Sequence, residues 1–132
     1  MYLDWSEKYK VDVPMFDEQH KVLFSLVNIL YIGMKEGKGK AVLENLFKAL
    51  RWYTEVHFQD EEAELSAKKY PDYEYHKNQH VDLIDKVNEF QKDFEGGKNI
   101  LNVEFITFLV DWLQNHVGVE DKKYSEYLNS KG

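Results

Sequence analysis

Hydrophobic residues recur at intervals of three and four along most of the chain, which is the spacing of one face of an α-helix. Four such stripes follow one another, and no segment alternates apolar and polar residues as a half-buried β-strand does. The stripes run through Phe16, His20, Leu23, Val27, Leu30 and Met34; through Leu43, Leu46, Leu50, Thr54, His57 and Glu61; through His76, His80, Leu83, Val87, Phe90 and Phe94; and through Ile106, Leu109, Leu113 and His116.

Turn-forming residues separate the stripes and indicate where the helices begin and end. Residues 1–15 have no helical period, so we expect an extended arm there, with Trp5 and Tyr9 anchoring it to the helices. Residues 121–128 are expected to add a short C-terminal helix. The expected breaks are 33–40, Tyr70-Pro71, Gly96-Gly97 and Gly118, and the expected N-caps are Asp17 for the first helix and Asn99 or Asn102 for the fourth.

Four helices with short connections favour an all-α fold: an antiparallel up-down-up-down four-helix bundle with an N-terminal extended arm and a short C-terminal helix. At 132 residues the chain has the length of one domain, and we interpret residues 1–132 as a single domain. In such a bundle the start of one helix lies level with the end of the next. The polar members of the stripes are therefore expected to meet at one end of the interior: His20, His57, Glu61, His76, His80 and His116.

Composition excludes several classes of function. The absence of cysteine rules out disulfides, thiolate zinc sites, iron–sulfur clusters and cysteine nucleophiles. A net charge of −7 without a Lys/Arg cluster argues against nucleic acid or an anionic membrane as a partner. With no bilayer-length apolar run and no secretory signal, the protein is expected to be soluble and cytoplasmic. No Gly-rich phosphate loop, GxSxG or HExxH motif points to phosphate transfer or hydrolysis.

A metal site is the simplest explanation for the polar residues in the stripes. Imidazoles and a carboxylate buried without partners among Leu, Val, Ile and Phe side chains would cost several kcal/mol. One inward histidine is usually a core residue bonded to a backbone carbonyl, but all five histidines of this chain fall at one level. Imidazole and carboxylate ligands without sulfur suit iron, manganese or zinc, and this many ligands favour two ions.

Four segments in order resemble the hemerythrin family, most closely its bacterial single-domain members, and they span nearly the whole chain. They are DEQH at 17–20, HFQDEE at 57–62, YPDYEYHKNQH at 70–80 and WLQNHVGVED at 112–121. The resemblance implies a non-heme di-iron centre that binds dioxygen reversibly, with two iron ions per chain joined by an oxo or hydroxo bridge. The ligands it implies are His76, His80 and His116 on one iron, His20 and His57 on the other, and Glu61 and Asp121 as bridges.

Helical geometry and the family pattern disagree about the last of these ligands. On an unbroken α-helix, the residue that faces the same way as His116 four positions later is Glu120, whereas the family pattern selects Asp121. Gly118 offers a physical reason for Asp121, because a glycine lets the helix end or bulge and redirect the residues that follow. We expect Asp121 to be the ligand.

The implied ligands leave one position open, on the iron held by two histidines, and the resemblance implies that dioxygen binds there. Leu113, one turn before His116, is a candidate wall of this dioxygen pocket and equally a plain core leucine.

Other residues near the motifs have weaker assignments. Asp17 and Gln19 could hold a ligand ring in position, although helix capping explains Asp17 equally well. Glu62 is expected to be a solvated neighbour of the site. Tyr124 is near enough in sequence to approach the site, but no role is assigned to it.

We interpret the chain as an oxygen carrier, storage or delivery protein and not as an enzyme, because its sequence shows no catalytic acid, base or substrate pocket. An oxygen or redox sensor is one alternative, although such modules usually belong to longer signalling chains. A di-iron oxidase, or an enzyme that consumes peroxide or nitric oxide, is another, and turnover against a reductant would distinguish it. Metal storage is a third alternative and predicts more than two ions per chain.

Overall fold

The computed structural model describes residues 3–38, 40–95 and 103–131, and these form helices without any strand. The expected antiparallel four-helix bundle with a short C-terminal helix is confirmed. None of the described helices is both long and apolar enough to cross a membrane. The helices are α1 (Pro14–Lys35), α2 (Lys40–Ala67), α3 (Tyr73–Glu95), α4 (Val103–Asn115) and α5 (Asp121–Lys131), with a 3₁₀ turn at Glu7–Tyr9 and a π-helical turn at His116–Glu120.

The first helix begins earlier than its hydrophobic stripe suggests. Val13, in an extended conformation, precedes the helix, and Pro14 takes its first position, where a missing N–H costs nothing. The prediction that Asp17 is the N-cap is therefore wrong. Asp17 instead accepts a hydrogen bond from the backbone N–H of Val11 at 2.7 Å and ties the arm to α1.

Among the described residues, α1 and α2 are each followed by a residue in the left-handed backbone conformation. After α1, Gly37 has a φ of 71°, and the N–H of Lys38 donates to the carbonyl of Gly33 at 3.0 Å. After α2, Lys69 takes the same conformation with a φ of 56°, directly before the expected Tyr70-Pro71 break. The Gly96-Gly97 stop, the Asn99 and Asn102 caps and the side chain of Phe94 lie outside the described residues.

Two apolar clusters fill the bundle. The main cluster contains Phe24, Leu30, Phe58, Leu83 and Leu113 among others, and a smaller end cluster consists of Val11, Phe16, Leu65, Tyr70 and Tyr124. The ring of His57 lies between them, with its centroid 6.0 Å from that of Phe16 on one side and 6.0 Å from that of Phe58 on the other. The polar residues of the stripes therefore occupy a layer enclosed by apolar packing.

The N-terminal arm packs along the bundle instead of extending from it. Trp5 and Tyr9 both contact Phe24, at centroid distances of 5.5 and 4.9 Å, which confirms them as anchors. Farther out, the side chain of Asn28 pairs with the backbone of Leu3. Asn28 Oδ1 accepts from the Leu3 N–H and Asn28 Nδ2 donates to the Leu3 carbonyl, each at 2.7 Å and buried.

Replacing Asn28 with alanine should lower the free energy of unfolding by about 2–4 kcal/mol, because a buried donor and a buried acceptor on Leu3 would both lose their partner. Asn45→Ala, the same change at an exposed position of α2, is the control and should change stability by less than about 0.5 kcal/mol. Urea unfolding followed by far-ultraviolet circular dichroism measures both. Equal losses in the two variants would contradict the assigned role of Asn28.

Candidate metal centre

The six polar residues of the stripes meet in the enclosed layer, as the antiparallel arrangement predicts. Each has 3% or less of its surface exposed. Their nitrogen and oxygen atoms form two groups, and within each group these atoms lie within 4.8 Å of one another. One group is Glu61, His76, His80 and His116, and the other is His20, His57 and Glu61.

Glu61 belongs to both groups because its two carboxylate oxygens face opposite ways. Oε1 lies 2.6 Å from Nε2 of His76 and 3.2 Å from Nε2 of His80. Oε2 lies 3.1 Å from Nε2 of His57 and 3.6 Å from Nε2 of His20. One oxygen for each group is the arrangement that a bridging carboxylate requires.

A π-helical turn brings Asp121 to the same place. The backbone N–H of Asp121 donates to the carbonyl of His116, five residues earlier, so these two side chains face the same way. Asp121 is fully buried, with Oδ1 3.1 Å from Nε2 of His116 and 3.2 Å from Nε2 of His76. Its Oδ2 lies 3.2 Å from Nε2 of His20. Asp121 thus spans the two groups in the same manner as Glu61.

Glu120, which an unbroken α-helix would have turned inward, does not reach the histidines. Its carboxylate lies at the edge of the layer, 3.2 Å from the ammonium group of Lys123. Gly118 lies at the centre of the π turn, in agreement with the expectation that a glycine there redirects the chain. The structure thus brings Asp121, and not Glu120, up to the histidines, while the assignment of Asp121 as a ligand stays a prediction.

The outer nitrogens of three histidines are held by side chains from neighbouring helices. His57 Nδ1 lies 2.6 Å from Gln19 Oε1, and His116 Nδ1 lies 2.9 Å from Gln79 Oε1. His80 Nδ1 lies 2.8 Å from Glu62 Oε2. Each partner atom is an acceptor, which places a ring proton on Nδ1. Nε2 of each ring is then the nitrogen that faces the layer and would be free to bind a metal there.

Two of these partners differ from the sequence-based expectation. Glu62 is not a solvated neighbour: its side chain is 21% exposed and one oxygen holds His80. Gln79 was not singled out at all. A signal for it existed, because Gln79 directly precedes His80 as Gln19 precedes His20, and each glutamine reaches sideways to the histidine of an adjacent helix.

Tyr124 reaches the centre of the site from α5. It is fully buried, and its hydroxyl donates to Glu61 Oε2 at 2.8 Å. Burial first, and then the negative charge of Glu61, raise the pKa of Tyr124 well above its usual range. The phenol therefore remains a donor and restrains the carboxylate that the two groups share.

Aromatic rings and an apolar cavity border the layer on the side of the main cluster. Phe58 stacks on His80 with ring centroids 3.7 Å apart, and Trp112 stacks on His116 at 4.3 Å. Leu113 is buried and lines a cavity of about 30 Å³, together with Leu23 and both aromatic residues. Leu113 is thus a core residue that also lines a cavity, and its role as a wall of the dioxygen pocket stays a prediction.

Protons and charges balance one another within the layer. Burial alone lowers the pKa of His20 and His76, but the adjoining carboxylates of Asp121 and Glu61 outweigh it and raise these values to about 9 and about 10. Burial alone would raise the pKa of both carboxyl groups, and the surrounding imidazoles hold it well below its usual range. In the metal-free chain, protons on the imidazoles therefore offset the two negative charges.

Protons do not complete the hydrogen bonding of the layer. Within the described ranges, the buried side-chain atoms that lack a hydrogen-bond partner are both ring nitrogens of His20, both oxygens of Asp121, and Nε of Arg51. His20 Nε2 and Asp121 Oδ2 lie 3.2 Å apart. Nε2 of His20 and the two oxygens of Asp121 face the other imidazoles of the layer, and imidazole and carboxylate atoms arranged in this way fit a cation.

Comparison with known proteins agrees with this geometry. The family model described as "Hemerythrin HHE cation binding domain" matches residues 11–128. A bacteriohemerythrin of Methylococcus capsulatus is 33% identical over 123 residues, which cover 93% of each chain. A myohemerythrin of Theromyzon tessulatum is 30% identical over 124 residues, covering 94% of this chain and 92% of that protein.

Solved structures give the same result at the level of the fold. The crystal structure of a wild-type hemerythrin superposes with a TM-score of 0.90 at 31% identity, covering 96% of this chain and 97% of that one. Proteins of this family typically bind oxygen at a di-iron site. The matched family model, the relatives of similar length and the fold together show that the chain belongs to the hemerythrin family.

Proposed function

We propose that the protein binds dioxygen reversibly at a di-iron centre and serves in oxygen carriage, storage or delivery. The proposed ligands are His76, His80 and His116 for one iron, His20 and His57 for the other, with Glu61 and Asp121 shared. The observation that carries the proposal is the pair of carboxylates whose oxygens face both groups of imidazoles, one of them with no hydrogen-bond partner on either oxygen.

Bound iron would supply the electrons that dioxygen takes up on binding and gives back on release. The chain supplies an unequal set of ligands, since one group has three imidazoles and the other has two. If the two irons took the same number of ligands, the one held by His20 and His57 would have room for one more small ligand. Because the group of His20 and His57 lacks a third imidazole, dioxygen would bind on that side of the centre.

The surroundings of the site favour a neutral diatomic ligand over a larger substrate. The adjoining cavity of about 30 Å³ has room for little more than a molecule the size of water, and its lining is almost entirely apolar. Phe58, which lines this cavity with Leu113, also lies against the rings of His80 and His116. Apolar walls exclude water and ions, and so would slow the loss of bound oxygen in a reduced, charged form.

An enzymatic role is the alternative that must be tested directly. Tyr124 is held as a donor to Glu61, and no other acid or base group of the described layer is free of the ligand set and its outer partners. This favours binding over turnover. A di-iron oxidase, or an enzyme that consumes peroxide or nitric oxide, would instead show sustained consumption of its substrate in the presence of a reductant.

The proposed function is tested by an anaerobic titration of the reduced, iron-loaded protein with dioxygen. About two irons per chain, a ligand-to-metal absorption band that appears on addition of oxygen, and its loss on purging with argon are expected. A protein that holds zinc alone, or a band that cannot be reversed, would overturn the proposal. Catalytic consumption of oxygen or peroxide with a reductant would support the enzyme instead.

Asp121→Asn should reduce the bound iron from about two per chain towards one, because the amide nitrogen cannot replace a carboxylate oxygen that faces the second group. Glu120→Gln is the matched control, since it makes the same change one residue earlier on a carboxylate that faces Lys123. Iron analysis by mass spectrometry after anaerobic reconstitution measures both. Equal iron contents in the two variants would refute the assignment of Asp121 as a ligand.

Leu113→Ala should accelerate autoxidation of the oxygenated protein several-fold, because a larger cavity beside the histidines admits water and anions. Leu30→Ala changes another buried leucine of the main cluster, one that does not line this cavity, and serves as the control. Each variant should lose about 2–5 kcal/mol of stability. Decay of the oxygenated absorption band separates them, and identical decay rates would show that Leu113 is only a core leucine.

A further inference from the structure

The π turn between α4 and α5 determines which carboxylate, that of Glu120 or that of Asp121, faces the histidine layer. In the π form, Asp121 lies one turn after His116 and faces the layer. In an ordinary α-helical form, Glu120 would take that position. A π turn inside a helix is intrinsically less favourable than an α turn, so other contacts must hold it.

The N-terminal arm contacts the π turn at its centre. A Cβ atom added to Gly118 would lie 3.3 Å from Cε1 and 3.5 Å from Cδ1 of Tyr9. The ring of Tyr9 is itself 3% exposed and packed edge-on against Phe24, which leaves it little freedom to withdraw. The Tyr9 ring therefore packs directly on the backbone of Gly118. Any side chain at position 118 would have to displace this ring.

The arm also holds the start of α5, directly after the turn. The carbonyl of Val11 accepts from Ser125 Oγ at 2.6 Å and from Asn129 Nδ2 at 3.1 Å. The carbonyl of Lys10 accepts from the ammonium group of Lys122. With the bond of Tyr124 to Glu61, these bonds hold the rotation of α5 about its axis. A change from π to α form would turn α5 by about 100° and break all three.

We propose that Tyr9, Lys10 and Val11 form a clamp that keeps the His116–Glu120 segment in its π form and thereby selects Asp121 over Glu120 as the second shared carboxylate. The three residues touch none of the histidines in the contacts described for the site, so they act as positioning residues. The selection of a metal ligand rests on the proposed function, whereas the clamp on the π turn does not.

The clamp gives the N-terminal arm, which lies outside the four-helix bundle, a role in positioning the metal site. The same segment is tied to α1 through the hydrogen bond between Val11 and Asp17. Since His20 lies one turn after Asp17 on α1, the arm links the helix that carries His20 to the turn that carries Asp121. The arm thus contacts both elements whose side chains, from opposite ends of the sequence, lie 3.2 Å apart.

The first experiment removes the hydrogen bonds on the far side of the turn. In the double variant Ser125→Ala/Asn129→Ala, the amide N–H of Asp121 should exchange with deuterium at least about tenfold faster in the metal-free protein. Tyr127→Phe is the matched control, because it removes a bond from α5 to the carbonyls of Lys68 and Lys69 and leaves the arm untouched. Unchanged exchange in the double variant, or equal acceleration in the control, would overturn the clamp.

The second experiment tests the contact between ring and glycine by rescue. Gly118→Ala should accelerate the same exchange, and combining it with Tyr9→Leu should restore slower exchange, because the shorter side chain leaves room for the added methyl group. A general loss of stability would make the combined variant worse than either change alone. Failure of the rescue would therefore also overturn the clamp.

Cobalt(II) then connects the clamp to the ligand. Wild type and Tyr127→Phe should bind two cobalt ions per chain, whereas Ser125→Ala/Asn129→Ala should bind the second about 10–100-fold more weakly, with altered d–d absorption. Two-ion binding unchanged in the double variant would refute the selection of Asp121. A wild-type chain that takes up no pair of ions would refute the proposed function, and the exchange measurements would still decide the clamp.

Discussion

The structure depends on how a buried carboxylate is kept ionised. Glu61 is fully buried, and removal of such a charge from water is too costly unless opposite charges and donors surround it. Imidazoles from α1, from α3 and from its own helix α2 surround it, together with the hydroxyl of Tyr124 on α5. The helices cannot shift along one another without breaking this set of contacts. The polar layer therefore fixes the relative position of helices that the apolar clusters alone would hold less specifically.

Hydrophobic spacing was sufficient to predict the four helices and the level at which their polar residues meet, because helical period and short loops determine both. Hydrophobic spacing alone could not predict that Asp121 and not Glu120 faces the histidines, since a π turn changes the helical period locally. Spacing also could not predict the contacts of Glu62 with His80 and of Gln79 with His116, because these side chains cross to a neighbouring element and depend on how the helices pack. The true start of α1 had a signal in Pro14, which was interpreted as part of the arm.

The outer partners follow the order of the chain. Gln19 on α1 holds His57 on α2, Glu62 on α2 holds His80 on α3, and Gln79 on α3 holds a histidine that follows α4. Each helix thus orients a ring of the next, and no helix pair can be repacked without disturbing the site. Glu62 is the charged member of this series and contacts His80 directly, whereas on the other side the carboxylate of Asp60 acts through Gln19, which donates to it at 2.8 Å.

The π turn has a consequence for how such proteins are recognised. In sequence terms it is equivalent to one inserted residue between His116 and Asp121, after which the helix resumes its ordinary course. A search that requires metal-binding side chains three or four positions apart would discard this pair, and an alignment that penalises insertions within helices would misplace it. A local departure from the helical period can therefore mark the position of a functional side chain.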